Sequence, residues 1–322
     1  MTNNLIQARV AARRTVAEDI IELCLERADG SPLPAYEAGA HMDVEVLPGQ
    51  FRQYSLCSAA DTGEHRVAIL RESQGRGGSI AAHERLLVGT AVRVSAPRNH
   101  FQLLPGSQPV LLLAGGIGIT PLLSMAHTLH ASGRPFELFY CARSRARAAY
   151  LPEISASAWR AQAHFFFDDE PELGPFNAET ELASRVDQDA QIYICGPAGF
   201  MAWATSVAKT AGFSEPSIHL EHFAAPVTQI APDETTFELQ LARAGITVQV
   251  PPDRSIAEVL EDHGVLVSLS CEAGVCGSCM TRVIEGIPDH RDTVLTQAQR
   301  LAGDCMTICC SRSSSPKLVL DL

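Results

Sequence analysis

The sequence predicts a multidomain chain of α+β and α/β type. An antiparallel β-barrel comes first, a doubly wound parallel sheet second, and a β-grasp module last. Three observations carry this reading. Up to about residue 104, short apolar and polar runs alternate between turn signals, the pattern of many short antiparallel strands. From about residue 108, continuous apolar runs alternate with helical stretches, the pattern of a parallel sheet covered by helices. After residue 236, a hairpin, a short helix, a cysteine loop and a terminal strand follow one another.

In the first segment the strands are read at Ile20–Leu25, Met42–Val46, Arg66–Leu70 and Ala91–Val94, with turns at Asp29-Gly30 and Pro48-Gly49. In the second, Val110–Leu113, Glu137–Tyr140, Ala163–Phe167 and Gln191–Cys195 read as strands. Pro121–His130, Ala178–Val186 and Gly199–Ala211 read as helices. The stretch from Gln102 to Met125 carries no charged side chain, but Pro105, Gly106, Pro109, Gly115, Gly116, Gly118 and Pro121 interrupt it. A membrane helix needs about 20 mostly apolar residues; a buried parallel strand, a glycine turn and a helix start account for this run better. Residues 226–235, rich in proline and acid, read as a linker. Beyond it, Thr236–Ala242 and Ile246–Val250 form a hairpin around Ala244-Gly245. Ser255 then caps a helix that runs to about His263, and Lys317–Leu320 closes the module as a strand. The expected domains are therefore 1–104, 105–225 and 236–322, joined across 226–235.

With 322 residues, 46% hydrophobic and 19% charged, the chain is an ordered globular protein of several domains. A net charge of −12 argues against nucleic acid or an anionic membrane as partner. Arg9, Arg13, Arg14, Glu18 and Asp19 stand where a secretory signal would need an apolar core. A disulfide framework is not expected in a chain of this length, so a reducing cytoplasm is the expected location.

The strongest motif is Ser270-Cys271-Glu272-Ala273-Gly274-Val275-Cys276-Gly277-Ser278-Cys279, with Cys309 further on. This is the plant-type C-x4-C-x2-C…C spacing of a [2Fe–2S] cluster. Three thiolates on one loop and a fourth from a distant segment wrap a two-iron rhomb, and the small residues between them let backbone N–H groups approach its sulfides. The competing readings are a zinc site or scattered buried cysteines. Zinc sites usually pair their cysteines in two C-x2-C knuckles, and only one such pair is present. Cys24, Cys57, Cys141, Cys195, Cys305 and Cys310 remain outside the four.

A one-electron centre needs a source of electrons, and three further motifs bear on it. Arg52-Gln53-Tyr54-Ser55-Leu56 places an arginine, an aromatic ring and a hydroxyl on one strand end. A flavin could use all three: phosphate on Arg52, the ring of Tyr54 on the isoalloxazine, Ser55 near N5. An ordinary β-strand is the alternative. Arg71 and then Gly75-Arg76-Gly77-Gly78-Ser79 precede a helical stretch whose free N–H groups suit a phosphate. Ser79 also suits the N-cap, and a plain surface turn is the alternative here. Next, Leu113-Ala114-Gly115-Gly116-Ile117-Gly118-Ile119-Thr120-Pro121 follows a strand, a turn fit for a pyrophosphate. It departs from the Rossmann fingerprint, with Pro121 where the third glycine would be. Cys141-Ala142-Arg143-Ser144 stands where an acidic residue would end the next strand, and Arg143 there hints at a 2′-phosphate. Finally, Cys195-Gly196-Pro197 ends a strand before a helix, and its thiol could border a nicotinamide; a core cysteine is the plainer reading.

Together these motifs, in this order, resemble the phthalate dioxygenase reductase and vanillate O-demethylase reductase family, within the ferredoxin–NADP+ reductase-like superfamily. The resemblance covers essentially the whole chain. It implies an antiparallel flavin-binding β-barrel, a doubly wound parallel-sheet NAD domain and a β-grasp [2Fe–2S] ferredoxin domain. It implies FMN held through Arg52, Tyr54 and Ser55, with phosphate contacts around Arg76, Gly77, Gly78 and Ser79. NADH binding falls to Gly115, Gly116, Gly118, Thr120 and Pro121, with Cys195, Gly196 and Pro197 at the nicotinamide. Phe223, in Glu221-His222-Phe223, matches the aromatic that closes over the flavin; a core aromatic is the other reading. The catalytic set implied is Ser55, Cys195 and Phe223. The family favours FMN over FAD and NADH over NADPH, the second preference being qualified by Arg143 and Ser144. Asp168-Asp169 reads as a solvated turn rather than a ribose contact. The family motif puts the fourth iron ligand at Cys309 rather than Cys305 or Cys310, giving Cys271, Cys276, Cys279 and Cys309. Asp289-His290-Arg291-Asp292 reads as a structural run beside the cluster loop. The expected function is an NADH-dependent reductase that passes electrons through FMN and [2Fe–2S] to a separate Rieske-type oxygenase. A reductase for another acceptor such as a cytochrome P450, and a non-catalytic redox sensor, stand as alternatives.

Overall fold

The computed structural model describes residues 5–73, 77–170, 176, 181–182, 185–186, 189–223, 235–265, 267, 269, 271–275 and 277–322. Of the expected features, Arg76, Cys276, residues 226–234 of the linker and parts of the 178–186 helix lie outside these. The chain forms two compact units, Met1–Glu221 and His222–Leu322.

The first unit opens with β1 (Ile6–Ala17), β2 (Ile20–Arg27), β3 (His41–Leu47), β4 (Gln50–Ser55), β5 (His65–Leu70) and β6 (Ala91–Val94). Helix α1 (Gly78–Arg85) lies between the last two strands. The strands form an antiparallel sheet in the order β4-β3-β6-β1-β2-β5. A bridge between Leu56, just past β4, and Val67 on β5 brings the two edges together and closes the barrel. Inward positions Val10, Leu23, Met42, Val44, Leu56, Val67, Ile69 and Val94 are fully buried and fill it. Closure matters to the site because it fixes the end of β4, where Ser55 sits.

The same unit continues as a parallel sheet in the order β11-β10-β7-β8-β9. Its strands are β7 (Val110–Gly115), β8 (Phe136–Ala142), β9 (Ala163–Phe167), β10 (Gln191–Cys195) and β11 (Ile218–Glu221). Helices α2 (Ile119–Ser132), α3 (Leu151–Ala156) and α4 (Ala198–Ala211) cover it. Every residue of β7 is buried, as a central strand covered on both faces requires. The uncharged run from Gln102 to Met125 is this strand, its turn and the buried start of α2. Among the described residues no helix is long and apolar enough to cross a membrane. Strand order reverses between β7 and β10, and at such a switch point a crevice opens beyond the carboxyl ends.

An ion network ties the barrel to this sheet. Arg66 on β5 reaches Glu22 on β2 at 3.2 Å and forks onto Glu153 of α3 with two bonds of 2.9 Å. Arg14 joins both carboxylates at 2.7 and 3.0 Å. Beside it the Cys57 thiol lies 3.1 Å from the Tyr150 hydroxyl. Cys57 is two residues past Ser55, so the network steadies the segment that carries that hydroxyl.

The second unit holds β12 (Phe237–Leu241), β13 (Ile246–Val250), α5 (Ile256–Asp262), β14 (Met280–Glu285), β15 (Pro288–Asp289), α6 (Gln297–Ala302), β16 (Cys305–Thr307), β17 (Arg312–Ser313) and β18 (Lys317–Leu320). The main sheet runs β13-β12-β18-β14-β16, with β12 parallel to the terminal β18, the mixed arrangement of a β-grasp. Ser255 caps α5 as expected, in a full capping box with Glu258.

One local expectation is corrected. Ser79 is not the N-cap of α1; Gly77 is, in a left-handed conformation. Helix α1 begins two residues earlier, and the Ser79 hydroxyl instead accepts the N–H of Glu72 at 3.0 Å.

Candidate functional site

Two turns meet at the switch point. The Gly115–Pro121 turn leaves β7 and enters α2; the Cys195-Gly196-Pro197 turn leaves β10 and enters α4, with Pro197 as N-cap. They touch backbone to backbone. A Cβ on Gly118 would lie 2.2 Å from the Cys195 carbonyl oxygen and 2.6 Å from the Gly196 nitrogen. A Cβ on Gly196 would meet the Phe200 ring at 2.7 Å and the Gly115 Cα at 3.0 Å. These glycines answer a close approach that no side chain could share. Thr120 is buried and donates to the Ile117 carbonyl at 3.1 Å, bracing the turn from within. Pro121 lies in the first turn of α2, where a missing N–H costs nothing. The helix start behind this turn presents N–H groups of the kind that suit an anion.

Strand pairing sets the side chains beside it. Cys195 pairs with Ala114 on one side and Glu221 on the other, so thiol and carboxyl stand next to each other at the carboxyl ends of β10 and β11. The Ser55 hydroxyl of the barrel donates to Glu221 Oε2 at 3.3 Å, and the Cys195 Sγ is 3.9 Å from the same oxygen. A hydroxyl, a thiol and a carboxyl from three distant segments thus converge. Burial pushes Glu221 up to about 8 from 4.5, with the Ser55 and Cys195 contacts opposing it. The Cys195 thiol is pushed far up by burial and by the Glu221 charge, so it is no nucleophile.

Ser55 and Cys195 were expected here, and the structure brings them together. Glu221 was not singled out. Its only sequence signal is position: an acidic residue ending the last strand of a parallel sheet, just ahead of His222-Phe223. The pKa shift yields a test. Between 4.5 and about 8 the folded state binds a proton here that the unfolded state lacks, so stability falls as pH rises through that window. Glu221→Gln removes this slope. The melting temperature of the variant relative to the parent is expected to rise steadily from about pH 5 to about pH 9. A constant difference contradicts the assignment.

At the barrel edge, Arg52 on β4 lies against Gly78 at the head of α1. A Cβ on Gly78 would meet its Nε at 2.7 Å. Arg52 Nη1 donates to the Phe51 carbonyl at 2.8 Å. A guanidinium and a helix start carrying Gly77, Gly78 and Ser79 are therefore adjacent, a donor set that fits a phosphate. Tyr54 is half-buried against the barrel core, and burial raises its hydroxyl well above the usual range. Phe223 belongs to the second unit and is 40% exposed. Arg143 lies exposed beyond β8.

In the second unit Cys271, Cys279 and Cys309 are buried. The Cys279 thiol is the main cause pushing Cys309 up to about 12, which puts the two sulfurs side by side. Cys310 lies 3.2 Å from the Thr307 hydroxyl, and its thiol also sits beside that of Cys309. The shift of Cys305 is due to burial, Asp304 and Asp292, with no thiol among its causes. The loop backbone bends left-handed at Glu272, Gly274 and Gly277, and the Ala273 N–H points at Cys271 Sγ at 3.4 Å. Gly274 leaves room that a Cβ would take, 2.5 Å from the Cys310 sulfur. Buried thiols with backbone N–H groups turned toward sulfur fit an iron–sulfur cluster. Asp292 organises the flank, accepting the N–H groups of Val294 and Leu295 at 3.0 and 2.7 Å.

Comparison with known proteins agrees with this anatomy. Residues 239–314 match the 2Fe-2S iron-sulfur cluster binding domain, and residues 112–206 match the oxidoreductase NAD-binding domain. The chain is 44% identical over 319 residues to the vanillate O-demethylase oxidoreductase of Pseudomonas sp. (strain HR199 / DSM 7063), covering 99% of this chain and 100% of that protein. It is 37% identical over 322 residues to the phthalate dioxygenase reductase of Burkholderia cepacia, covering 99% and 98%. The solved structure of a phthalate dioxygenase reductase, described as a modular structure for electron transfer from pyridine nucleotides to [2Fe-2S], superposes with a TM-score of 0.77 at 37% identity over 99% of this chain and 98% of that one. An intact type IV self-sufficient cytochrome P450 monooxygenase matches with a TM-score of 0.82 at 35% identity; all but 1% of this chain aligns, on 41% of that longer chain. With its nucleotide turn, its cysteine loop and its relatives matched from end to end, the chain belongs to the phthalate dioxygenase reductase and vanillate O-demethylase reductase family, oxidoreductases that carry NADH, FMN and [2Fe–2S] chemistry.

Proposed function

We propose that this chain is the NADH-dependent reductase component of a two-component Rieske-type oxygenase or demethylase, delivering electrons to a separate oxygenase protein. The observation that carries the reading is the end-to-end match to reductases named for a demethylase and a dioxygenase. We assign the work to 1–104 for FMN, 105–225 for NADH and 236–322 for the cluster, joined by a linker at 226–235.

FMN supplies the conversion between a two-electron hydride donor and a one-electron acceptor. The chain's residues bind and orient. Arg52, Arg76 and the N–H groups of Gly77, Gly78 and Ser79 hold the flavin phosphate, and Tyr54 packs against its ring system. Gly115, Gly116, Gly118, Thr120 and Pro121 form the turn that takes the NADH diphosphate. Cys195, Gly196 and Pro197 border the nicotinamide, and Arg143 stands toward its adenosine end. Ser55 keeps its hydroxyl on Glu221 Oε2, which holds a proton at neutral pH, so the pocket at the ring carries no negative charge. Cys271, Cys276, Cys279 and Cys309 hold the iron. No side chain need act as general acid or base in hydride transfer.

The self-sufficient P450 match favours a second reading, a reductase for a P450 acceptor. Reconstitution separates them. With NADH, the protein is expected to support product formation by a purified Rieske-type demethylase or dioxygenase. Support of P450 turnover alone would replace the first reading with the second. NADH-dependent ferricyanide reduction is expected in either case, and its absence would favour a redox sensor.

A further inference from the structure

We propose that Glu170 sets this chain's preference for NADH over NADPH, by holding Arg145 on the Phe167 ring in an ion pair that a 2′-phosphate would have to break; this rests on the reductase reading above. Strand register locates the place. Gly115 of the phosphate turn pairs with Cys141 on β8, and Cys141 pairs with Phe166 on β9. The chain just beyond these residues therefore emerges beside the turn: Arg143, Ser144 and Arg145 after β8, and Asp168, Asp169 and Glu170 after β9. The two segments stay paired past the sheet, with the Asp168 N–H on the Ala142 carbonyl at 3.1 Å and the Asp169 N–H on that of Arg143 at 3.3 Å. A dinucleotide with its diphosphate on the α2 start and its nicotinamide at Cys195 extends its adenosine the other way, over these ends. In doubly wound sheets an acid there takes the ribose 2′-hydroxyl, and an arginine there takes a 2′-phosphate.

This edge has three arginines, and protein carboxylates hold two of them. Arg145 donates from Nε and Nη2 to the two oxygens of Glu170 at 2.6 and 2.9 Å. Its guanidinium also lies 4.7 Å from the centre of the buried Phe167 ring. Two parallel bonds and a stacking face fix a guanidinium more firmly than a single contact. Arg147 reaches Glu18 at 3.1 Å and Asp19 at 3.8 Å. A 2′-phosphate would thus arrive among Asp168, Asp169 and Glu170 with the cation nearest the acidic run already neutralised. A 2′-hydroxyl needs no cation and finds acceptors in Asp168 and Asp169, the pair read from sequence alone as a solvated turn. The charge of Asp168 is felt at Cys141, whose thiol it helps raise, which places that carboxylate close to the end of β8.

The test uses the full-length holoprotein. E170Q keeps the shape of the side chain and removes its charge, freeing Arg145. We expect the ratio of kcat/KM for NADPH to that for NADH, with ferricyanide as acceptor, to rise by about tenfold or more. 2′-Phospho-AMP is expected to bind more tightly relative to AMP in the same variant. E170Q/R145A is expected to return both ratios to the parent value, which a general loosening of the fold would not do. An unchanged ratio in E170Q overturns the proposal, as does a gain that survives loss of Arg145, which would point to Arg143 instead. If the parent protein oxidises neither nucleotide, the reductase reading fails; the relative binding of 2′-phospho-AMP and AMP then still decides the role of Glu170.

Discussion

Cys279→Ser is expected to remove the iron–sulfur absorbance and bring NADH-dependent cytochrome c reduction to background, while NADH still bleaches the flavin and ferricyanide is still reduced. Cys279 is buried beside Cys309, whose thiol it pushes up. A serine oxygen is a harder and less easily ionised ligand than a thiolate, so a four-cysteine site loses its cluster rather than adapting to it. The first unit has its own cores and its own nucleotide turn, so hydride entry is expected to survive. Anaerobic spectra and cytochrome c assays on parent and variant provide the check. Cytochrome c reduction at the parent rate would mean that electrons leave by a route other than the cluster.

Gly118→Ala is expected to lower kcat/KM for NADH by about 100-fold, the scale on which a displacement near one ångström acts in a positioned reaction. The added methyl would lie 2.2 Å from the Cys195 carbonyl oxygen, and the atoms it meets are backbone, which cannot rotate away. The turn after β7 and the turn after β10 must part, and with them the start of α2 and the Cys195 thiol. Gly116→Ala provides the contrast. Its φ of +52 is strained for alanine, yet nothing lies within 4 Å of the new methyl. It is expected to cost about 1–2 kcal/mol of stability with a much smaller loss of kcat/KM. Steady-state kinetics of the two variants with ferricyanide separates close approach from backbone strain. Equal losses in both would show that left-handed geometry, not turn-to-turn contact, governs the site.

Much of this fold could be read from the residues because its signals are local. The apolar run Val110–Leu113 ending in glycine marks a buried parallel strand and its turn. The hairpin at Ala244-Gly245 and the Ser255–Glu258 capping box fall where alternation and capping chemistry place them. The C-x4-C-x2-C spacing is a local signature of ligand geometry. Features that depend on distant partners were not readable in this way. Glu221 is raised by the burial that the fold imposes on it, and the Ser55 hydroxyl that opposes the rise comes from far back in the chain. Ser79 has the chemistry of an N-cap, but Gly77 can adopt the left-handed conformation that starts α1 earlier. Strand β1, the longest of the barrel, carries Arg9, Arg13 and Arg14 among its apolar residues. Its assignment depends on pairing with β2 and β6 rather than on its own pattern.

The most direct measurement is the anaerobic ultraviolet–visible spectrum of the purified protein before and after stoichiometric NADH. Flavin and iron–sulfur bands that are both present, and both bleach, are the predicted result. They would establish that one chain carries electrons from nucleotide to cluster. A cluster that stays oxidised in the presence of NADH, with no flavin band, would contradict the account at its centre.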